Sequence, residues 1–191
     1  TTAGNALEVR EALDFLQGHI QEARLLHVTL GLSATLLVQG GLARTEPEGR
    51  SMAQRALDSG EAAERFARMV RGLGGPSDVL RHDGLPSAPV MRDIGAPCAG
   101  VLAALDTRAV GLAVVQLGAG RSRPGAAVDP RVGFSHLLPL GTRVQAQEPV
   151  ARVHAADEAA ARHAQAAFLQ ALTISESPVT PGPVMVEQVS D

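Results

Sequence analysis

The stretch that decides the fold lies at the start of the chain and reads Ala3-Gly-Asn-Ala-Leu-Glu-Val-Arg-Glu-Ala12. Asn5, followed three positions later by Glu8, forms a capping-box pattern, which predicts that a helix begins here. Apolar residues then recur at helical spacing as far as Leu16, and Gly18 is suited to end the helix. The chain therefore opens with an amphipathic helix.

Helical periodicity continues to about residue 81. Further helices are predicted over residues 22–39, 47–58 and 61–73. The helix at 22–39 is apolar on most of its faces, which is typical of a helix that neighbours cover from several sides. Because the short helices beside it offer limited surface, the sequence predicts a further partner surface, upstream or in another chain.

The pattern changes beyond residues 82–98, a Gly- and Pro-rich stretch interpreted as a linker region. Strands are predicted over residues 100–105 and 150–154, with a last strand in the tail at 181–189. A helix capped by Asp106-Thr107 is expected to run to Leu117, although residues 109–115 also fit a buried strand, and a clearer helix is expected over 156–172. Helices followed by short strands and helices predict an α+β protein.

Composition excludes several chemistries. All seventeen basic residues are Arg, so no lysine can form a Schiff base, serve a P-loop or carry biotin. An aromatic content of 2% and a net charge of -3 argue against a nucleic-acid partner. A single cysteine, Cys98, no signal peptide and no apolar run of bilayer length predict a cytoplasmic protein without a membrane partner.

The common catalytic and metal motifs are absent from the sequence: there is no G-x-S-x-G, no H-E-x-x-H, no cysteine pair and no His pair at helical i, i+4 spacing. The Gly-rich stretch at 117–125 has two interpretations. Its backbone N–H groups, with Arg121 and Arg123, are suited to cradle an anion. Alternatively its glycines end a helix and form a turn, and Arg121 pairs with a carboxylate such as Asp129.

Glu11 is a second candidate for chemistry. Glu8 is accounted for by the capping box, whereas Glu11 is not, and its carboxylate could bind a hard cation together with carbonyls of the preceding loop. The alternative is an exposed carboxylate that the helix dipole favours near a helix start.

Taken together, several motifs resemble those of one family. The stretch at 3–12 resembles the segment A/V-G-N-A-hydrophobic-E-V-x-E-A of thymidine and pyrimidine nucleoside phosphorylases. Later segments of that family are matched in the right order by Asp106-Thr-Arg-Ala-Val-Gly-Leu-Ala-Val-Val115, Leu117-Gly-Ala-Gly-Arg121, Val128-Asp-Pro-Arg-Val-Gly133 and Ile174-Ser-Glu-Ser-Pro178. The resemblance covers essentially all 191 residues.

The resemblance implies a fold in two parts. Residues 1–81 are expected to be the helical C-terminal section of an α/β catalytic domain, residues 82–98 a linker region, and residues 88–191 a C-terminal α/β-hammerhead-like domain. The implied reaction is phosphorolysis, in which a pyrimidine (deoxy)nucleoside and phosphate give the free base and (deoxy)ribose 1-phosphate. Phosphate is thus a co-substrate, and the enzyme positions it and stabilises charge on the departing base.

The family's phosphate loop and base-binding residues lie upstream of the G-N-A-L-E-V segment, so the resemblance assigns no catalytic residue to this chain. It carries over part of a K⁺ site, namely Glu11 and the carbonyl of Thr2. It also implies a missing N-terminal half and a homodimer. The first hypothesis is therefore the C-terminal part of a phosphorylase, inactive alone. The second is a non-catalytic binding or scaffold module of the same fold, able to complement an N-terminal half.

Overall fold

A computed structural model describes residues 1–81, 84–121 and 123–187 of the chain. The chain divides into two compact units. One unit comprises Thr1–Glu11 and Leu85–Pro181, and the other comprises Ala12–Gly84 and Gly182–Asp191. The described residues combine helices with antiparallel sheets, which confirms the predicted α+β class.

The helical unit contains α2 (Ala23–Gln39), α3 (Glu46–Asp58), α4 (Glu61–Gly72) and a single 3-10 turn at Val79–Arg81, together with the end of α1 (Asn5–Leu16). The caps explain where these helices begin. The Glu22 carboxylate accepts a hydrogen bond of 2.8 Å from the Leu25 N–H, which satisfies a donor that the first turn of α2 leaves free. The predicted helices at 22–39, 47–58 and 61–73 are thereby confirmed.

The other unit, called here the α+β unit, is built on two three-stranded antiparallel sheets, with orders β1-β5-β3 and β4-β2-β6. Their strands are β1 (Val90–Gly95), β2 (Gly100–Leu105), β3 (Gly133–Ser135), β4 (Arg143–Val144), β5 (Pro149–Ala155) and β6 (Leu172–Ser175). The strands predicted at 100–105 and 150–154 are confirmed as β2 and β5.

Two helices complete this unit, α5 (Thr107–Val114) and α6 (Glu158–Ala171), each with an Asp as its N-cap. Asp106 accepts from the Ala109 N–H at 3.0 Å, and Asp157 accepts from the Ala160 N–H at 2.8 Å. The aliphatic core between sheets and helices contains one aromatic pair, in which the rings of Phe134 and Phe168 lie 5.3 Å apart.

Four details differ from the sequence interpretation. The first helix is capped by Gly4, since Glu8 accepts from the Gly4 N–H at 3.0 Å and Asn5 is already helical. Residues 106–117 form α5 and a following π-helical turn at Val115–Ala119, so the strand alternative is wrong. The stretch 82–98 contains β1 and is therefore more than a linker.

The fourth difference is the tail. Residues 181–187 contain no strand, and residues 188–189 of the predicted strand lie outside the described residues. The tail runs along α2 instead, where the Arg24 guanidinium donates to the carbonyl of Gly182 at 3.1 Å. Alternating apolar residues do not form a strand without a free sheet edge to pair with.

Candidate functional site

The segment Thr1–Ala3 lies beside β3 as a short antiparallel partner. The N–H of Ala3 donates to the Phe134 carbonyl at 2.9 Å, and the Phe134 N–H donates back at 2.8 Å. A third bond runs from the Leu137 N–H to the Thr1 carbonyl at 3.0 Å. This pairing fixes the backbone that leads into α1.

Two glycines allow the backbone to turn from this pairing into α1. Gly4 has φ +148° and Gly133 has φ +147°, both in the region that favours glycine. A Cβ on Gly133 would lie 2.2 Å from the Ala3 carbonyl oxygen, and one on Gly4 would lie 2.7 Å from the Val132 carbonyl oxygen. The two backbones therefore cross at a distance that only glycine permits.

The start of α1 is anchored to the same unit by two further bonds. The Asn5 side-chain amide donates to the carbonyl of Ala119 at 2.8 Å, and the Ala6 N–H donates to the carbonyl of Pro130 at 2.9 Å. Asn5 is thus used for a long-range contact instead of a cap. These contacts set the direction in which the first turns of α1 carry Glu11.

The Glu11 carboxylate accepts hydrogen bonds from three polar groups of Thr1 and Thr2. It accepts from the Thr1 hydroxyl at 2.7 Å, from the Thr2 hydroxyl at 2.6 Å and from the α-ammonium group of Thr1. Burial raises the pKa of Glu11, but the bonds from the α-ammonium group, Thr2 and Thr1 outweigh it, so the pKa lies below its usual value. Glu11 is an ionised carboxylate surrounded by oxygen and ammonium groups.

The structure therefore brings the two predicted cation ligands, Glu11 and Thr2, together. Their contact is through the Thr2 hydroxyl, whereas the sequence interpretation used the Thr2 carbonyl. Among the described residues there is no cluster of three or more His, Cys, Asp or Glu side chains suited to hold a metal. Any cation here would rely on one carboxylate and on neutral oxygen atoms.

The Gly-rich stretch has a structural role in the described part of the chain. Gly118 follows α5 with φ +104°, and its carbonyl accepts from the Asp129 N–H at 2.9 Å. Asp129 itself pairs with Arg131 through two bonds of 2.9 and 2.8 Å, so the suggested Arg121–Asp129 pair is wrong. Asp129 pairs with Arg131 because the two residues are only two positions apart in the same turn.

A polar cluster that the sequence did not single out lies inside the β1-β5-β3 sheet. Ser135 and His154, exposed by 5% and 7%, are the buried polar side chains of the described residues. The Ser135 hydroxyl lies 2.8 Å from His154 Nε2 and 2.8 Å from His136 Nδ1. Since the hydroxyl has one proton, it donates to one imidazole and accepts from the other.

Burial, together with the positive charges of Arg152, His136 and Arg10, lowers the pKa of His154 to about 4. Asp93 neutralises part of that charge, because it binds Arg152 at 2.7 and 3.1 Å. The signal in the sequence was His154 between the apolar residues Val153 and Ala155 at the end of a predicted strand, where a buried polar side chain requires a partner.

Within the part of the chain that the structure describes, every helix is too short or too polar to span a bilayer.

Comparison with known proteins agrees with this architecture. Residues 101–175, which contain β3 to β6, α5, α6 and all of β2 except Gly100, match the pyrimidine nucleoside phosphorylase C-terminal domain. These residues therefore form a domain of that class. Over almost its whole length the chain is also similar to thymidine phosphorylases, of which it spans less than half.

The relatives are similar over almost the whole chain. Thymidine phosphorylases from Burkholderia cenocepacia (strain HI2424) and Burkholderia orbicola (strain AU 1054) are each 51% identical over 98% of this chain. The enzyme from Burkholderia lata is 48% identical over the same share. The chain spans only 43% of the length of each of these relatives.

Proposed function

We propose that this chain is the C-terminal, supporting part of a thymidine or pyrimidine nucleoside phosphorylase and is inactive alone. The observation that carries the proposal is the identity of 51% across 98% of the chain, set against 43% of the relative. The composition of the chain also fits a supporting part that is inactive alone. The chain contains no lysine, and the described residues contain no group of three or more His, Cys, Asp or Glu side chains that could hold a metal ion.

The proposed substrates of the complete enzyme are a pyrimidine nucleoside and phosphate. In the complete protein this chain would supply the α+β unit and the helices that support the catalytic part, while phosphate and base are held upstream. The homodimer and the cytoplasmic location stay predictions.

The isolated chain should release no thymine from thymidine and phosphate in a chromatographic assay. Adding the upstream part of the Burkholderia cenocepacia relative as a separate polypeptide should produce phosphate-dependent release. Omitting phosphate is the control, because hydrolysis would continue without it. Release by the isolated chain would disprove the assignment, and a stable complex without release would favour the scaffold module.

We propose that Glu11 and Thr2 would hold a monovalent cation such as K⁺, as the resemblance implies. The fit is supported by the Glu11 carboxylate and the two threonine hydroxyls around it, which are the oxygen ligands that hard cations prefer. In this structure the α-ammonium group of Thr1 supplies the positive charge beside Glu11. When bound, the cation would neutralise Glu11 and fix the start of α1.

A chimera tests the cation proposal, since there the Thr1 nitrogen is an uncharged amide. In it, this chain replaces the matching 43% of the Burkholderia cenocepacia relative. Saturating K⁺ should raise its thermal midpoint by roughly 2–4 °C over choline, and Glu11→Gln should abolish the rise. Glu8→Gln is the matched control, because Glu8 binds the Gly4 N–H instead. Equal midpoints in K⁺ and choline would rule out the site.

A further inference from the structure

The chain makes a β-bulge immediately after β3, at His136. Ala3 and Phe134 exchange two hydrogen bonds as an antiparallel pair, so regular pairing would next bond the Thr1 carbonyl to the N–H of residue 136. The Thr1 carbonyl accepts instead from the Leu137 N–H at 3.0 Å. His136 is therefore an extra residue on this side of the pairing, which is what defines a bulge.

The hydrogen bonds to β5 shift at the same position. Ser135 lies opposite Arg152. Two residues further on, regular pairing would bond the Leu137 N–H to the Val150 carbonyl, yet that carbonyl accepts from the Leu138 N–H at 3.1 Å. The pairing is thus displaced by one residue on both sides of the chain. The extra residue belongs to the sheet and is not an irregular end of β3.

A left-handed backbone at His136 makes this bulge possible. Its φ of +54° is uncommon for a residue with a side chain, and glycine often takes this position in bulges. Neighbouring residues of a strand point to opposite faces, so Ser135 and His136 would not meet in a regular strand. Here His136 Nδ1 lies 2.8 Å from the Ser135 hydroxyl, which His154 Nε2 contacts at the same distance. The imidazole–hydroxyl bond therefore stabilises a backbone conformation that favours glycine.

The bulge contacts the segment that carries the oxygen atoms around Glu11. The Leu137 N–H binds the Thr1 carbonyl, while the hydroxyls of Thr1 and Thr2 donate to the Glu11 carboxylate at 2.7 and 2.6 Å. Loss of the bulge would withdraw this N–H and leave the Thr1 end of the segment without its bond to the chain that follows β3. The position of both hydroxyls relative to Glu11 would then be less well defined.

We propose that Ser135 and His136 are positioning residues for the oxygen atoms around Glu11. Their side-chain bond holds the bulge, the bulge places the Leu137 N–H, and that N–H fixes Thr1 beside Glu11. Where it concerns K⁺, the inference rests on the proposed function, since these oxygen atoms are the ones proposed to hold the cation.

Hydrogen exchange in the isolated chain tests the bulge. His136→Ala removes the imidazole but keeps a Cβ, so the Leu137 amide should exchange about tenfold faster relative to the Val110 amide of α5, which reports any general loss of stability. His136→Gly is the matched variant, because glycine adopts a positive φ without help from Ser135, and its rise should stay below about threefold. Ser135→Ala should also give about tenfold alone, but below about threefold when combined with His136→Gly.

The chimera tests the link to the cation. The K⁺ concentration that gives half of the rise in thermal midpoint should increase by about threefold or more in His136→Ala and stay within about twofold of the wild type in His136→Gly.

Three results would overturn the inference. The first is equal exchange of the Leu137 amide in His136→Ala and the wild type. The second is an equal rise in His136→Ala and His136→Gly, which would show that the left-handed backbone is not what the imidazole supports. The third is an unchanged half-saturating K⁺ concentration in His136→Ala when the wild-type chimera responds to K⁺. A wild-type chimera without any response to K⁺ contradicts only the proposed cation, because the exchange ratios decide the positioning role separately.

Discussion

Gly133→Ala should destabilise the α+β unit by on the order of 4 kcal/mol, the largest effect expected for a single methyl group in this chain. Two causes combine at this position. The φ of +147° is unfavourable for any L-residue, and the new Cβ would lie 2.2 Å from the Ala3 carbonyl oxygen. Relief requires that the Thr1–Ala3 segment separate from β3, which would also release the groups bound to Glu11.

Gly111→Ala is the matched control for this substitution. Gly111 lies in α5 of the same unit, and a Cβ there meets nothing within 4 Å. Alanine should therefore be neutral or stabilise α5 by up to about 1 kcal/mol. Hydrogen exchange of the β3 and β5 amides measures both variants without assuming that the two units unfold together. Equal protection in Gly133→Ala and Gly111→Ala would show that the crossing of the two backbones is looser than described.

Acidification from pH 6.5 to 4 should cost the α+β unit about 3 kcal/mol through His154 alone, because one pKa unit corresponds to about 1.4 kcal/mol. The pKa of His154 is about 4 in the folded state against an ordinary 6.5. Between these values the unfolded chain binds a proton that the folded chain excludes, so stability falls as the pH falls. Above pH 6.5 both states are neutral and His154 adds no pH dependence.

Burial is the main cause of the lowered pKa of His154, and the groups that face it act in the same direction. Arg152, His136 and Arg10 all oppose a positive charge there, and the Ser135 hydroxyl cannot donate to a fully protonated imidazole. The carboxylates with lowered pKa begin to lose their contribution only below their ordinary pKa values, which are 4.5 for Glu11 and 3.8 for Asp93 and Asp129. The loss of stability between pH 6.5 and 4.5 is therefore due mainly to His154.

Hydrogen exchange of the β5 amides, measured at pH 7 and pH 4.5 and corrected for intrinsic exchange rates, gives the change in the free energy of unfolding. His154→Gln should be less stable than the wild type at pH 7 and should lose most of the dependence on pH. His163→Gln is the control, because His163 is exposed on α6 and should leave the dependence unchanged. Wild-type stability that stays constant between pH 6.5 and 4.5 would refute the role of His154.

Much of the helical unit could be predicted because local chemistry determines it. Caps and glycine ends placed α2, α3 and α4 within about two residues, the usual margin for helix boundaries. The cap of α1 was misplaced by one residue, since Asn5 is used by a long-range bond to Ala119. A pattern within the sequence cannot show that a side chain has a partner more than a hundred residues away.

The sheets were harder to predict for the same reason. β3 and β4 contain only Gly133–Ser135 and Arg143–Val144, too few residues for alternation to be recognised. β1 lies in a Gly- and Pro-rich stretch and is a strand because β5 pairs with it. The Glu11–Thr2 contact was suggested only by the family resemblance, and the Ser135–His154 pair depends on strand register, which single residues do not encode.

The most direct test of the account is phosphate-dependent thymine release by the chimera, compared with the upstream part of the Burkholderia cenocepacia relative expressed alone. Because this chain is assigned the supporting role, the chimera should release thymine and the upstream part alone should release at least about tenfold less. A folded chimera that releases no thymine, or an upstream part that is as active without this chain, would contradict the account.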